Sequence, residues 1–233
     1  PVCDKGGECP LQNLTLAHGP GESRFLYSDK QHLNKRVPLG ELIFLDRERC
    51  IQCGRCTRFQ HDVVDDPVIG FYQRGRALEI ATLSEPGFDS IFSGNTTDIC
   101  PVGALTTADF RFGARPWEMK PAASICNHCP VGCNLTFNVR REAAANGRTV
   151  IKRVLPRQNE QVNEIWICDK GRFVYQYTES PDRLTQPLIR KNGELVPASW
   201  DEALELAAQK LKGLQPLLLA GGRLSNEALF NLR

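Results

Sequence analysis

The chain has 233 residues, ten of them cysteine, with 29 Lys and Arg against 27 Asp and Glu. A net charge of +2 gives no electrostatic basis for binding nucleic acid or an anionic membrane surface. No apolar run approaches the ~18 residues of a membrane-spanning helix, so no direct membrane insertion is expected.

Four stretches separate along the chain. Residues 1–40 hold Cys3, Cys9 and several Gly-rich turns. Residues 41–115 hold Cys50, Cys53, Cys56 and Cys100. A Pro-bearing linker is expected between Ala114 and Pro121. Residues 122–178 hold Cys126, Cys129, Cys133 and Cys168, and cysteine then disappears. In the stretch from 179 to 233, Ser199 and Glu202 fit a capping box that opens a helix. Ala203, Leu204, Ala207, Ala208 and Leu211 follow helical spacing, and Gly213 can end the helix. The run Pro216–Ala220 predicts a buried strand, and Gly221-Gly222 a turn into a helix opened by Ser225. This reads as the start of an α/β unit with a parallel sheet. The first residue is Pro1 and the last helix stops mid-pattern, so a fragment of a longer chain is expected.

The cysteines come in tight sets. Thiols two or three residues apart are poorly placed to bridge each other and well placed to wrap a metal centre, which predicts a reducing compartment. Cys50-x2-Cys53-x2-Cys56 puts three thiolates on one short loop, enough for three corners of a [4Fe–4S] cubane. Cys100, followed by Pro101, fits the Cys-Pro element that completes ferredoxin-type clusters. Zinc is the competing reading, but structural zinc sites usually use two separated pairs. Ile51, Ile99 and Val102 are candidates for keeping water from the sulfurs.

A two-cluster ferredoxin repeats C-x2-C-x2-C-x3-C-P twice, each run lending its fourth cysteine to the other cluster. Here those second-cluster positions carry Gln60, Ser90, Ser93 and Thr96. The stretch therefore reads as ferredoxin-like with one cluster lost, polar side chains filling the place. Cys126-x2-Cys129-x3-Cys133 with Cys168 is a second complete four-thiolate set, again favouring [4Fe–4S]. His128 is not needed as a ligand. Cys3 and Cys9 make only half a site, and spacing alone leaves them open between ligands and ordinary cysteines. His18, His32 and His61 lie far apart in sequence, and no catalytic constellation is found. Arg49, Arg55, Arg58, Lys170 and Arg172 read mostly as solvated charges near the clusters.

The segments Pro1–Cys9, Cys50-Ile51-Gln52-Cys53-Gly54-Arg55-Cys56, and Phe92-Ser93-Gly94-Asn95 leading to Ile99-Cys100-Pro101-Val102-Gly103-Ala104-Leu105 resemble the large iron–sulfur subunit of respiratory complex I. This is the G-type subunit of NADH–quinone oxidoreductase. The resemblance implies a [2Fe–2S] domain before Pro1. It also implies a cluster with one His and three Cys ligands, of which Cys3 and Cys9 match the last two positions. It assigns Cys50, Cys53, Cys56 and Cys100 to the next cluster, and Cys126, Cys129, Cys133 and Cys168 to one that only some members keep. Asp182-Arg183-Leu184, Pro187–Arg190 and Ser199–Leu204 resemble the opening of the molybdopterin-oxidoreductase fold.

The expected architecture is thus α+β iron–sulfur modules followed by the start of an α/β molybdopterin-oxidoreductase-like domain. The module bounds are 1–40, 41–115, 122–178 and 179–233. The implied function is an electron relay from NADH and FMN toward quinone, with no substrate site of its own. The implied partners are the NADH/FMN-binding subunit and a downstream iron–sulfur subunit, on the cytoplasmic side of the membrane. The alternative is the catalytic subunit of an NAD-dependent, molybdenum-containing formate dehydrogenase. A zinc-binding interaction module is the third reading.

Overall fold

The computed structural model describes residues 3–82, 84–85 and 87–232. It divides into two compact units, Pro1–Tyr175 and Gln176–Arg233. All ten cysteines fall in the first.

The first unit opens with helix α1 (Pro10–His18), whose fixed-φ proline stands in its first turn. Strands β1 (Val37–Pro38) and β2 (Ile43–Leu45) follow. Ile43 and Leu45 point into the core, while Phe44 faces out beneath the guanidinium groups of Arg36 and Arg111. Helix α2 (Arg55–Arg58) runs on into one wide turn at Phe59–Val63. Strands β3 (Ile69–Tyr72) and β4 (Glu79–Thr82) form an antiparallel hairpin. Helix α3 (Asn95–Ile99) leads through Cys100 to β5 (Leu105–Thr107), which pairs antiparallel with β2. The main core gathers Leu39, Ile43, Leu45, Ile69, Ile80, Phe88, Val102 and Leu105.

The expected linker is ordered instead. Ala114 and Met119 are buried against Phe110. Arg115 and Glu118 cap a short turn at Pro116–Glu118, and Lys120 and Pro121 already belong to strand β6 (Lys120–Ile125). Pro121 is tolerated because β6 lies at the edge of an antiparallel sheet of order β6-β7-β8, with β7 at Asn134–Arg141 and β8 at Thr149–Pro156. A second, smaller core of Leu135, Val154, Ile167 and Cys126 packs on this sheet. Helix α4 (Asp169–Phe173) follows the sheet, and its Phe173 enters the main core.

The second unit holds the antiparallel hairpin β9 (Leu188–Lys191) and β10 (Glu194–Pro197), then helices α5 (Trp200–Leu211) and α6 (Asn226–Asn231). Ser199 caps α5 by accepting a hydrogen bond from the Glu202 amide, as the sequence predicts. The Glu202 carboxylate pairs with Lys191 rather than closing the box. Gly213 turns with φ +79°, and Ser225 caps α6. The predicted strand at Pro216–Ala220 does not form: Leu217 and Leu219 are 87% and 91% exposed. A buried strand needs neighbours to pair with and elements to cover it. Among the described residues no strand pairs with this run.

Candidate metal centres

The structure gathers each complete four-cysteine set at a place of its own. Cys50 and Cys53 sit on the loop before α2, and Gly54, at φ +69°, turns that loop into the helix that carries Cys56. Cys100 follows α3 in extended backbone, as its Pro101 neighbour favours. All four line one small apolar cavity with Leu45, Ile80, Val102, Ala104 and Leu105. Cys56 and Cys100 are buried, Cys50 is half-buried and Cys53 is exposed. Burial pushes the Cys56 thiol up to about 12, and the neighbouring Cys100, Cys50 and Cys53 add to the rise. Burial also raises Cys50, with Cys100 and Cys53 beside it. Backbone amides of Gln52 and Thr57 donate to the Cys50 and Cys56 sulfurs and oppose these shifts. Such donors stabilise a thiolate once a cation draws off the proton.

The second set is built on the sheet. The β6–β7 connection carries Cys126, Cys129 and Cys133. It is closed by the Cys126 amide donating to the Cys133 carbonyl at 2.8 Å and bent at Gly132, φ +66°. Cys168 caps α4. The sulfurs of Cys126 and Cys168 lie 3.4 and 3.8 Å from where a Cβ on Gly171 would stand, so both thiols converge on the first turn of α4. Burial raises the Cys126 thiol, with Cys168 and Cys129 adding and the His128 amide and Lys170 opposing. Burial raises Cys133 too, with Cys126, Cys129 and Cys168 as its neighbours.

The donor chemistry fits iron–sulfur clusters. Each set is four thiols with apolar backing and amide donors aimed at sulfur. Among the described residues, no three His, Cys, Asp or Glu side chains converge closely enough to hold a single metal ion.

Cys3 and Cys9 lie beside the first of these sites. Cys9 Sγ is 3.7 Å from the Pro101 carbonyl, and Cys3 Sγ presses on Gly103, where any Cβ would strike it. Lys5, which sequence reading passed over, donates to the Thr97 and Cys100 carbonyls at 2.9 and 2.6 Å. Its place between two cysteines was the available signal. Arg153 grips Glu8 through two bonds of 2.6 and 2.8 Å, and Arg115 donates to the Cys3 carbonyl at 2.6 Å.

Other expectations divide. Val102 is buried, but Ile51 is half exposed and shields little. Arg55, Arg58 and Lys170 are exposed as expected, whereas Arg172 is buried at 3% exposure and paired with Asp98. Gln60, Ser90, Ser93 and Thr96 are all buried. Thr96 donates to the Ser93 carbonyl at 2.6 Å, but neither polar atom of the Gln60 amide finds a partner, so filling the vacated place is incomplete.

Comparison with known proteins follows the same divisions. Residues 40–106 match the family described as NADH-quinone oxidoreductase subunit 3, ferredoxin-like domain. Residues 119–180 match the molybdopterin oxidoreductase Fe4S4 domain, and 183–233 match molybdopterin oxidoreductase. The G-type subunit of NADH-quinone oxidoreductase from Streptomyces coelicolor is 48% identical over 97% of this chain, which spans 26% of that protein. The same subunit from Rickettsia bellii is 43% identical over 100% of the chain, which spans 33% of that relative. NADH-quinone oxidoreductase subunit 3 of Thermus thermophilus is 43% identical over 91%, with 28% of the relative spanned. The chain thus covers about a quarter to a third of the relatives it matches. The resemblance read from the sequence stands, and so does the expected fold class, ferredoxin-like followed by molybdopterin-oxidoreductase domains. The Fe4S4 match supports iron–sulfur cofactors.

Proposed function

We propose that this chain, homologous over nearly its whole length to the G-type subunit of NADH-quinone oxidoreductase, is part of an electron relay built on iron–sulfur clusters. The observation that carries this reading is the separate convergence of two complete four-cysteine sets, each drawn from two distant segments. We assign Cys50, Cys53, Cys56 and Cys100 to one [4Fe–4S] cluster and Cys126, Cys129, Cys133 and Cys168 to another. Cys3 and Cys9 are assigned to a third site that they cannot complete alone. When bound, such a cluster takes up and passes on single electrons. The chain's own residues hold it, exclude water and set its potential. Leu45, Ile80, Val102 and Leu105 keep water from the first site. The Gln52, Thr57 and His128 amides donate to ligand sulfurs, which favours the reduced, more negative state.

Lys5 holds the Cys3–Cys9 segment against the Cys100 loop, so its cluster would adjoin the first site. In the whole assembly, electrons enter from an NADH- and FMN-binding subunit and leave to an iron–sulfur subunit on the way to quinone. The complex holds the chain at the cytoplasmic face of the membrane. Among the described residues no helix is long and apolar enough to cross it. Residues 1–40, 41–115 and 122–178 each serve one cluster site, and 179–233 open the α/β domain. The molybdopterin matches are shared with the formate dehydrogenase alternative, but the relatives' names favour the relay.

Anaerobic reconstitution with metal and sulfide analysis tests the cluster assignment. About eight irons per chain with equal acid-labile sulfide are expected, four for each complete set. Stoichiometric zinc without sulfide refutes it. Formate turnover with stoichiometric molybdenum in the purified parent chain refutes the relay.

A further inference from the structure

The segment that lost its cluster ligands grips the second four-cysteine site. Asp169 is the residue after Cys168, and its carboxylate accepts three bonds from that segment. Ser93 donates twice to Oδ2, from its amide at 3.1 Å and its hydroxyl at 2.5 Å. The Gly94 amide donates to Oδ1 at 2.8 Å. The Asp169 amide donates back to the Ile91 carbonyl at 2.7 Å. Asn95 adds a reciprocal pair with Ile167, Nδ2 to carbonyl at 2.8 Å and amide to Oδ1 at 3.2 Å. Arg172, one turn on, bonds Asp98 and reaches Asn95 Oδ1 at 3.3 Å. Gly94 leaves the Arg172 side chain its room, since a Cβ there would strike it.

A buried carboxylate is costly unless donors surround it. The vacated ligand position supplies them. A cysteine bound to iron at position 93 has no proton to give, whereas the serine hydroxyl has one. Losing the cluster and gaining the clasp are therefore chemically linked at a single residue.

We propose that Asp169 is a positioning residue. Through Ser93 and Gly94 it pins the Cys168 ligand loop to the segment where the second ferredoxin cluster is missing. It thereby fixes where the cluster at Cys126, Cys129, Cys133 and Cys168 stands relative to the one at Cys100. The inference rests on the reading that both sets hold clusters.

The test uses the full-length chain with Asp169→Ala, Ser93→Ala and the double substitution. Iron and sulfide content, the distance between the two reduced clusters by pulsed EPR, and amide hydrogen exchange are measured. Asp169→Ala should broaden the distance distribution, Ser93→Ala should broaden it less, and the double variant should match Asp169→Ala. Exchange over residues 167–172 should quicken roughly tenfold, the scale of losing one hydrogen bond to a charged group, while 105–107 stay protected. If Asp169→Ala sheds its cluster outright, broadening in Ser93→Ala supports the clasp. Unchanged distances and exchange in Ser93→Ala overturn it in that case, as do unchanged values in both singles with full iron. A wild-type chain holding only one cluster refutes the cluster reading instead, and the exchange data then decide the clasp alone.

Discussion

Cys56 and Cys100 belong to the large core around Ile43, Leu45 and Leu105, whereas Cys126 belongs to a small one with Leu135, Val154 and Ile167. Both sites offer four thiols, and both leave one of them exposed, Cys53 in the first and Cys129 in the second. The first is enclosed by strands β2, β4 and β5 with the two short helices. The second sits on the rim of a three-stranded sheet and leans on α4. Identical ligand chemistry has thus been placed in a deep and a shallow setting. Burial, rather than donor type, is what separates them, and burial governs both the stability a cluster lends and the ease of its loss.

The sharpest probe of this contrast is removal of each site's distant ligand. Cys100→Ala should abolish the first cluster and lower the thermal midpoint of the Pro1–Tyr175 unit severely. Cys168→Ala should remove only the second cluster, with a smaller shift. Metal coupling to folding reaches on the order of 10 kcal/mol in small metal-dependent domains, so the first loss is expected to be the larger of the two. Iron analysis with calorimetry checks this, and equal midpoint losses would erase the distinction between the sites.

Chelation should show the same order in time. In excess chelator or with ferricyanide, the Cys126 set should lose iron several-fold faster than the Cys50 set, followed by their separate EPR signals. Reversal of that order would mean that core depth does not set lability.

Without metal, the deep site carries a pH signature. The folded Cys56 thiol is raised from 9.0 to about 12, so the folded state holds its proton more tightly than the unfolded chain does. This contribution is complete below pH 9 and is lost as pH rises from 9 toward 12. Denaturant midpoints of the apo chain should fall across that window, and Cys56→Ala should flatten the fall. A fall of unchanged size in the variant would assign the effect elsewhere.

The smallest effect belongs to the second unit and serves as a control. Ser199→Ala removes the cap on α5 and should cost about 1 kcal/mol there. Neither cluster's iron content or spectrum should change.

Much of both sites was legible in the sequence because their loops are local. Three cysteines within seven or eight residues cannot avoid one another, and Cys-Pro at 100 announces a cysteine in extended backbone. Helix α5 was equally legible, since Ser199, the helical spacing of Ala203 to Leu211 and Gly213 all act within a few residues. The polar replacements at 60, 90, 93 and 96 were also readable, as absences in a fixed spacing.

Tertiary structure decided the remainder. Nothing local marks Arg172 as buried, because its partners Asp98 and Asn95 lie more than seventy residues away. Nor does composition foretell that the Ala114–Pro121 stretch is ordered: it becomes so by burying Ala114 and Met119 on Phe110 and by pairing β6 with β7. The run at Pro216–Ala220 shows the reverse, with strand-like residues and no strand beside them. The grouping of the cysteines into sets rests on spacing along the chain, which the sequence carries in full. Depth, pairing and the Asp169 clasp depend on which distant segments meet, and only the folded chain determines that.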